Sequence, residues 1–137
     1  MLDTSALLTL HYDEAGSERV ANVLVAALDE NTGNDVEGTA VFGCFISLTE
    51  VFYRVWKSQG EAAGRAAYAK CQALPIIWVH ESSELLEQAA CLKTQYPMSL
   101  ADAWIAACAL QCNAVLLHKD PEFEPVLGLQ HEPLPYK

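Results

Sequence analysis

Basic residues are scarce in this chain. Eight Lys and Arg stand against 18 Asp and Glu, a formal net charge of −10. Such a surface does not draw polyanions by bulk attraction, so any contact with nucleic acid needs a local basic patch, a bound cation or a second subunit's surface. Long apolar runs are missing as well: none approaches the ~18 residues of a membrane span. The N-terminus carries neither the charged n-region nor the cleavage site of a secretory signal, and a cytoplasmic protein without membrane attachment is expected. Cys44, Cys71, Cys91, Cys108 and Cys112 are an odd set with no C-x-x-C pair, which sets aside a disulfide framework and a zinc ribbon. Cys108 and Cys112 lie one helical turn apart, but no Cys/His pair nearby completes a metal site. All five therefore read as reduced core thiols. G-x-S-x-G, G-x-x-x-x-G-K and G-x-G-x-x-G are absent, which removes the common hydrolase, P-loop and dinucleotide routes. There are no repeats, low-complexity tracts or linkers.

What is present is apolar and alternating. With 137 residues and a hydrophobic fraction of 52%, the chain reads as one domain, residues 1–137, with a core of its own. Thr4–Leu8 opens a short helix capped by Thr4 or Ser5. A second helix starts at Ser17, with Val20, Val23, Leu24, Ala27 and Leu28 at helical spacing, and Asn31–Asp35 ends it in a loop. Thr39–Ile46 is strand-like, and a helix from Ser47 ends at Gly60. Glu61–Leu74 is helical, Pro75–His80 is a short buried strand, and Ser82–Gln95 and Ser99–Gln111 are helices. Ala114–His118 is a strand, and Gln130–Leu134 is an edge strand demoted by Pro133. Continuous apolar strands separated by helices predict an α/β fold with a parallel sheet covered on both faces.

Within this pattern two acids are hard to explain as surface residues. Asp102 is the one charge in a segment otherwise made of Leu, Ala, Trp, Ile and Cys, and an isolated carboxylate in apolar surroundings is costly unless something compensates it. Asp120 follows the apolar run Ala114–Leu117 at a strand end, where α/β folds place ligands. Asp3 and Glu50 hold comparable positions, after the first strand and in the first turn of a helix. Each acid has an ordinary structural reading. Ser47-x-x-Glu50 and Ser99-x-x-Asp102 match the capping box, Asp3 can cap the helix after it, and Asp120 before Pro121 can form an Asx turn. Arg54, four residues after Glu50, allows a helical ion pair. The set adds something the individual readings lack, because strand ends and the following helix starts share one edge of a parallel sheet. Carboxylates gathered there raise one another's pKa, and Mg²⁺ or Mn²⁺ compensates them. His11, His80, His118 and His131 show no metal or triad spacing and read as structural or exposed.

The stretches Leu2–Ser5 (LDTS), Ser47–Val51 (SLTEV), Leu100–Ala107 (LADAWIAA) and His118–Phe123 (HKDPEF) together resemble the PIN domains, and among them the VapC-like toxin ribonucleases, over essentially the whole chain. The resemblance implies a five-stranded parallel sheet flanked by helices. It also implies an acidic metal site of Asp3, Glu50, Asp102 and Asp120, with Glu122 where many members carry a further acid. The chain departs from the pattern at three points: His118 stands where Thr is frequent, Glu122 replaces Asp, and only two residues precede Asp3.

The resulting expectation is hydrolysis of RNA phosphodiester bonds with Mg²⁺ or Mn²⁺. Asp3, Asp102 and Asp120 are the expected ligands, and Glu50 is a ligand or orients water. Ser5 and Glu122 support the ligands, and Arg54, Lys57, Arg65 and Lys119 are candidates for phosphate contact. The resemblance further implies a homodimer neutralised by a small antitoxin, with Phe52 and Trp56 available to an interface or to the core. Two rivals remain at this level. One is a degenerate PIN-like scaffold in which the His118 substitution has ended catalysis. The other is a phosphatase- or receiver-like domain with Asp3 as nucleophile, although Leu2–Ser5 lacks the second Asp of the phosphatase motif.

Overall fold

The computed structural model of the chain describes residues 1–28 and 39–136, so the predicted Asn31–Asp35 loop lies outside the described residues. Helix α1 spans Thr4–His11 and α2 spans Ser17–Leu28. They are followed by β1 (Phe42–Cys44), α3 (Phe45–Gln59), α4 (Glu61–Ala73), β2 (Ile77–Val79), α5 (Ser83–Gln95), α6 (Leu100–Gln111), β3 (Leu116–His118) and β4 (His131–Pro133). A 3-10 turn at Pro121–Phe123 separates the last two strands. β1 pairs with β2 and β3 with β4, both in parallel. Leu2 joins the two pairs through parallel bridges to Gly43 and Leu117. The order is thus β2–β1–Leu2–β3–β4, the expected parallel sheet with its first strand reduced to a single bridging residue. Chain growth proceeds outward on one side of Leu2 and then restarts on the other. The place where that order reverses, between Leu2 and β3, is the switch point at which open α/β sheets bind ligands.

Successive residues on a strand point to opposite faces, and here that alternation divides the core. Met1 and Leu116 belong to a cluster built with α5 and α6, whereas Leu2 and Leu117 belong to one built with α1 to α4. α6 is buried almost all round, at Ala103 and from Ile105 to Ala109, as its composition predicts.

Several local expectations are corrected. α1 is capped by Asp3, whose carboxylate accepts from the Ser5 amide, and neither Thr4 nor Ser5 is the cap. α3 begins at Phe45 with Cys44 as its N-cap and no side-chain capping bond. Ser47 is therefore its third residue, and Glu50 lies in the second turn, beyond the reach of a capping box. Tertiary packing outweighs the local cap signal: Phe45 and Ile46 pack against the α5/α6 core, and Phe45 meets Trp104 edge-on at 5.3 Å. β2 is not buried, because it forms a sheet edge with Ile77 56% exposed. Leu28 is exposed at the end of α2. All five cysteines are free, but Cys91 is exposed and Cys112 half-buried, so only Cys44, Cys71 and Cys108 are core thiols. The Ser99 cap of α6 and the edge strand ending in Pro133 are as expected; Ser82 caps α5 and a left-handed Asn113 follows α6.

Helices α3 and α4 pack closely through Gly64. A Cβ there would lie 2.9 Å from the Phe52 carbonyl oxygen and 2.9 Å from the Trp56 Cβ. Gly64→Ala is expected to destabilise the fold by about 1–3 kcal/mol despite the better helix propensity of Ala. A lower urea midpoint at unchanged m-value would show it.

Candidate active site

Asp3 is set into the centre of the sheet before its side chain does anything. Its amide donates to the Leu117 carbonyl at 3.0 Å, which fixes the residue at the switch point, and α1 starts immediately after it. The side chain is 3% exposed. Oδ2 accepts from the Ser5 amide at 3.2 Å and from the Ser5 hydroxyl, which itself accepts from the Lys119 amide at 2.9 Å. Oδ1 is buried and has no hydrogen-bond partner. Burial pushes the Asp3 carboxyl up to about 6; the Ser5 hydrogen bonds oppose the shift and the Glu50 charge adds to it.

Glu50 reaches the same place from the second turn of α3 and is 9% exposed. Thr4 Oγ1 donates to its Oε1 at 2.7 Å and pairs with the Ser47 hydroxyl at 2.9 Å. The ordinary ion-pair reading also holds, since Arg54 lies 3.7 Å from Oε2. The Thr4–Ser47–Glu50 network is invisible in sequence, because its members are 43 and 46 residues apart. The only hint is the presence of two hydroxyl residues beside candidate acids.

Asp102, Asp120 and Glu122 form the tightest group, each offering a ligand oxygen within 4.8 Å of the others. The Ser99 hydroxyl takes the Asp102 amide at 3.1 Å, so half of the capping box is real. The Asp102 carboxylate, however, lies beside those of Asp120 and Glu122. Burial, followed by the charges of Asp3 and Asp120, pushes its pKa to about 8. Asp120 makes the anticipated Asx turn: its Oδ1 caps the 3-10 turn by accepting from the Glu122 amide at 2.9 Å. Glu122 is therefore a member of the closest trio rather than a peripheral support.

His118 is a structural histidine, as expected, with a specific task. It is fully buried, and its Nδ1 accepts from the Asp120 amide at 3.1 Å. An acceptor at Nδ1 places the proton on Nε2, which lies 2.9 Å from His131 Nδ1 and therefore donates to it. Phe123 meets the ring edge-on at 5.1 Å. Burial and the neighbouring His131 hold the His118 pKa below its usual value, so the neutral ring suits this role. A side chain standing where the resemblance leads one to expect Thr thus fixes the backbone of Asp120.

All four predicted carboxylates and Glu122 line one cleft of about 360 Å³, together with Thr4, Ser5 and Ser99. Of the predicted phosphate contacts, Arg54 and Lys119 line it too. Lys119 is nearly buried and lies 3.7 Å from Glu14. Lys57 is exposed and outside the cleft. Arg65 is also outside, bound to Glu61 at 2.9 Å on α4.

The donor set consists entirely of carboxylate oxygen, one of them buried and unpartnered, and fits a hard divalent cation such as Mg²⁺ or Mn²⁺. The raised carboxyls have a definite pH consequence. Asp3 and Asp102 keep protons in the folded state at pH values where the unfolded chain, near 3.8, has lost them. Their contribution to stability is therefore greatest below the unfolded value and declines as pH rises toward about 8. A cation competes with those protons, so Mg²⁺ is expected to raise the thermal midpoint more near pH 8 than near pH 5. Calorimetry at both pH values checks this. His118→Phe retains the ring shape but leaves the Asp120 amide unpaired, and is expected to weaken Mn²⁺ binding about tenfold, measured by titration calorimetry.

Comparison with known proteins places this geometry. The PIN domain family model matches residues 1–127. No curated protein matches the chain in sequence. Among solved structures, the fold is similar to VapBC2 from Rickettsia felis bound to a promoter DNA fragment (TM-score 0.74, 18% identity, 98% of each chain covered). It is similar also to DNA-bound VapBC from Salmonella typhimurium (0.71, 18%, 97% and 96%). A third similar structure is VapC20 from Mycobacterium tuberculosis, a sarcin–ricin loop cleaving toxin (0.66, 17%, 90% and 91%). With a family match across nearly its whole length and the sheet order described above, this chain belongs to the PIN domain family.

Proposed function

We propose that this protein is a Mg²⁺- or Mn²⁺-dependent endoribonuclease and the toxin of a toxin–antitoxin pair. The observation that carries the reading is the gathering of Asp3, Glu50, Asp102 and Asp120, with Glu122, in one cleft at the sheet's switch point. Membership of a nuclease family and the likeness to VapBC structures support it. The role of His118 speaks for an active site rather than a degenerate scaffold, because the departure from Thr leaves Asp120 held by another acceptor.

When bound, a divalent cation supplies a Lewis acid for the phosphate and a water of lowered pKa. Everything else falls to the chain. Asp102, Asp120 and Glu122 would hold the cation, and Asp3, whose Oδ1 has no hydrogen-bond partner, would complete the set. Glu50 presents Oε2, the oxygen that Thr4 does not use, to orient the attacking water and receive its proton. Arg54 and Lys119, the cations on the cleft wall, neutralise the phosphate oxygens.

The partners in this reading are a structured RNA substrate, a second copy of the chain and a small antitoxin. A basic side chain of that antitoxin complements the acidic cleft. Tyr53 and Trp56, each 43% exposed on α3, are available to such an interface, so Trp56 is not consumed by the core.

The test is cleavage of a structured RNA by the purified protein with Mg²⁺. Asp102→Asn is expected to reduce the rate by at least about a hundredfold, and EDTA to abolish it. A variant that cleaves as fast as the parent would refute the site.

A further inference from the structure

Beside the acidic cleft lies a second cavity of about 430 Å³, separated from it by a wall of Ser5, Arg54 and Lys119 that both share. We infer that this cavity seats an unstacked nucleotide of the substrate RNA, the one flanking the phosphate held in the cleft. The inference rests on the nuclease reading and specifies how that site takes its substrate.

Charge supplies the first reason. The cleft is lined by five carboxylates, so a second phosphate of the same strand is not accommodated beside the first. The cations at hand stand on the shared wall, and a strand leaving the cleft with its phosphates near cations passes over Lys119 and Arg54. Beyond them it enters the second cavity.

The lining is the second reason. Leu8 and Pro121 make apolar walls, and Tyr136 adds a ring that is 42% exposed. The Tyr136 hydroxyl donates to Glu124 at 2.7 Å, which holds the ring in place as a stacking platform. Proteins that read single-stranded or looped RNA stack splayed bases on aromatic rings in this way. The volume falls in the range of small-ligand pockets, about 300–1,000 Å³.

The third reason is polar. Thr9 also lines the cavity, and its hydroxyl is buried without a hydrogen-bond partner. Buried hydroxyls are seldom left so unless a ligand or water satisfies them. Glu14 places a carboxylate on the same wall and draws Lys119 toward this side at 3.7 Å. A nucleotide with its base against Tyr136 and its phosphate at Lys119 uses the ring and the cation of this cavity.

The experiment is a titration of the metal-free, isotopically labelled protein with the ribodinucleotides ApA, UpU, GpG and CpC, followed by NMR. At least one is expected to shift the amides of Thr9, Glu14 and Tyr136, with Tyr136→Ala weakening its affinity about tenfold and Tyr136→Phe, which keeps the ring but loses its Glu124 anchor, weakening it less. Circular dichroism melts of both variants establish that they fold. Shifts confined to the acidic cleft, no binding at all, or equal affinity in Tyr136→Ala would overturn the inference. So would an arginine-rich peptide that fills the cavity when no dinucleotide does. The two readings separate cleanly. RNA cleavage with Tyr136-independent binding removes only the nucleotide seat. Tyr136-dependent binding without cleavage supports the seat and removes the nuclease.

Discussion

The pairing of Leu2 and Asp3 between two strands is the contact on which the rest of the molecule depends. The Leu2 amide donates to Phe42, the Asp3 amide to Leu117, and the Leu117 amide to the Met1 carbonyl. Those bonds unite two strand pairs into one sheet, and the same bonds carry a carboxylate into its centre. Placing an acid there costs free energy through desolvation, which is why its pKa is raised. Fold and site are therefore not separate layers added in sequence. The residue that completes the sheet is adjacent to the one that starts the site.

Around that pivot, each further carboxylate arrives by a different local device. Glu50 is held by the Thr4 hydroxyl (which also pairs with Ser47), Asp102 by a serine-capped helix start, and Asp120 by a histidine acceptor behind it. None of these devices is strong alone, since a net hydrogen bond contributes only about 1 kcal/mol. Together they bring four carboxylates into one cleft. Arg54 and Lys119 complete the balance, and both are already engaged by carboxylates, Glu50 and Glu14. A protein of net charge −10 thus keeps its useful cations at the edge of its most acidic place.

Much of this was legible in the sequence, for physical reasons that can be named. Helical periodicity and continuous apolar strands gave the alternation, and edge logic in a parallel sheet gave the convergence of Asp3, Glu50, Asp102 and Asp120. What sequence misread was decided by contacts between distant segments. Ser47 has the local chemistry of an N-cap, yet Phe45 and Ile46 find the α6 side of the core and draw the helix start forward by two residues. Pro75–His80 is as apolar as a central strand, but its place at the edge follows from strand order, which spacing alone does not encode. His118 looked like a lesion because only its side-chain type was visible. Its function lies in an acceptor atom aimed at the backbone of Asp120. Glu122 is brought beside Asp102 and Asp120 by a 3-10 turn, which the spacing alone does not reveal.

Pro133 closes β4 in register with His118. Proline has no amide proton, so the outer rim of the sheet offers an incomplete ladder to any incoming chain. The opposite rim, β2, is only three residues long. A sheet built this way resists extending into a larger one by strand addition. What such a sheet leaves open to a neighbour is its covering of helices.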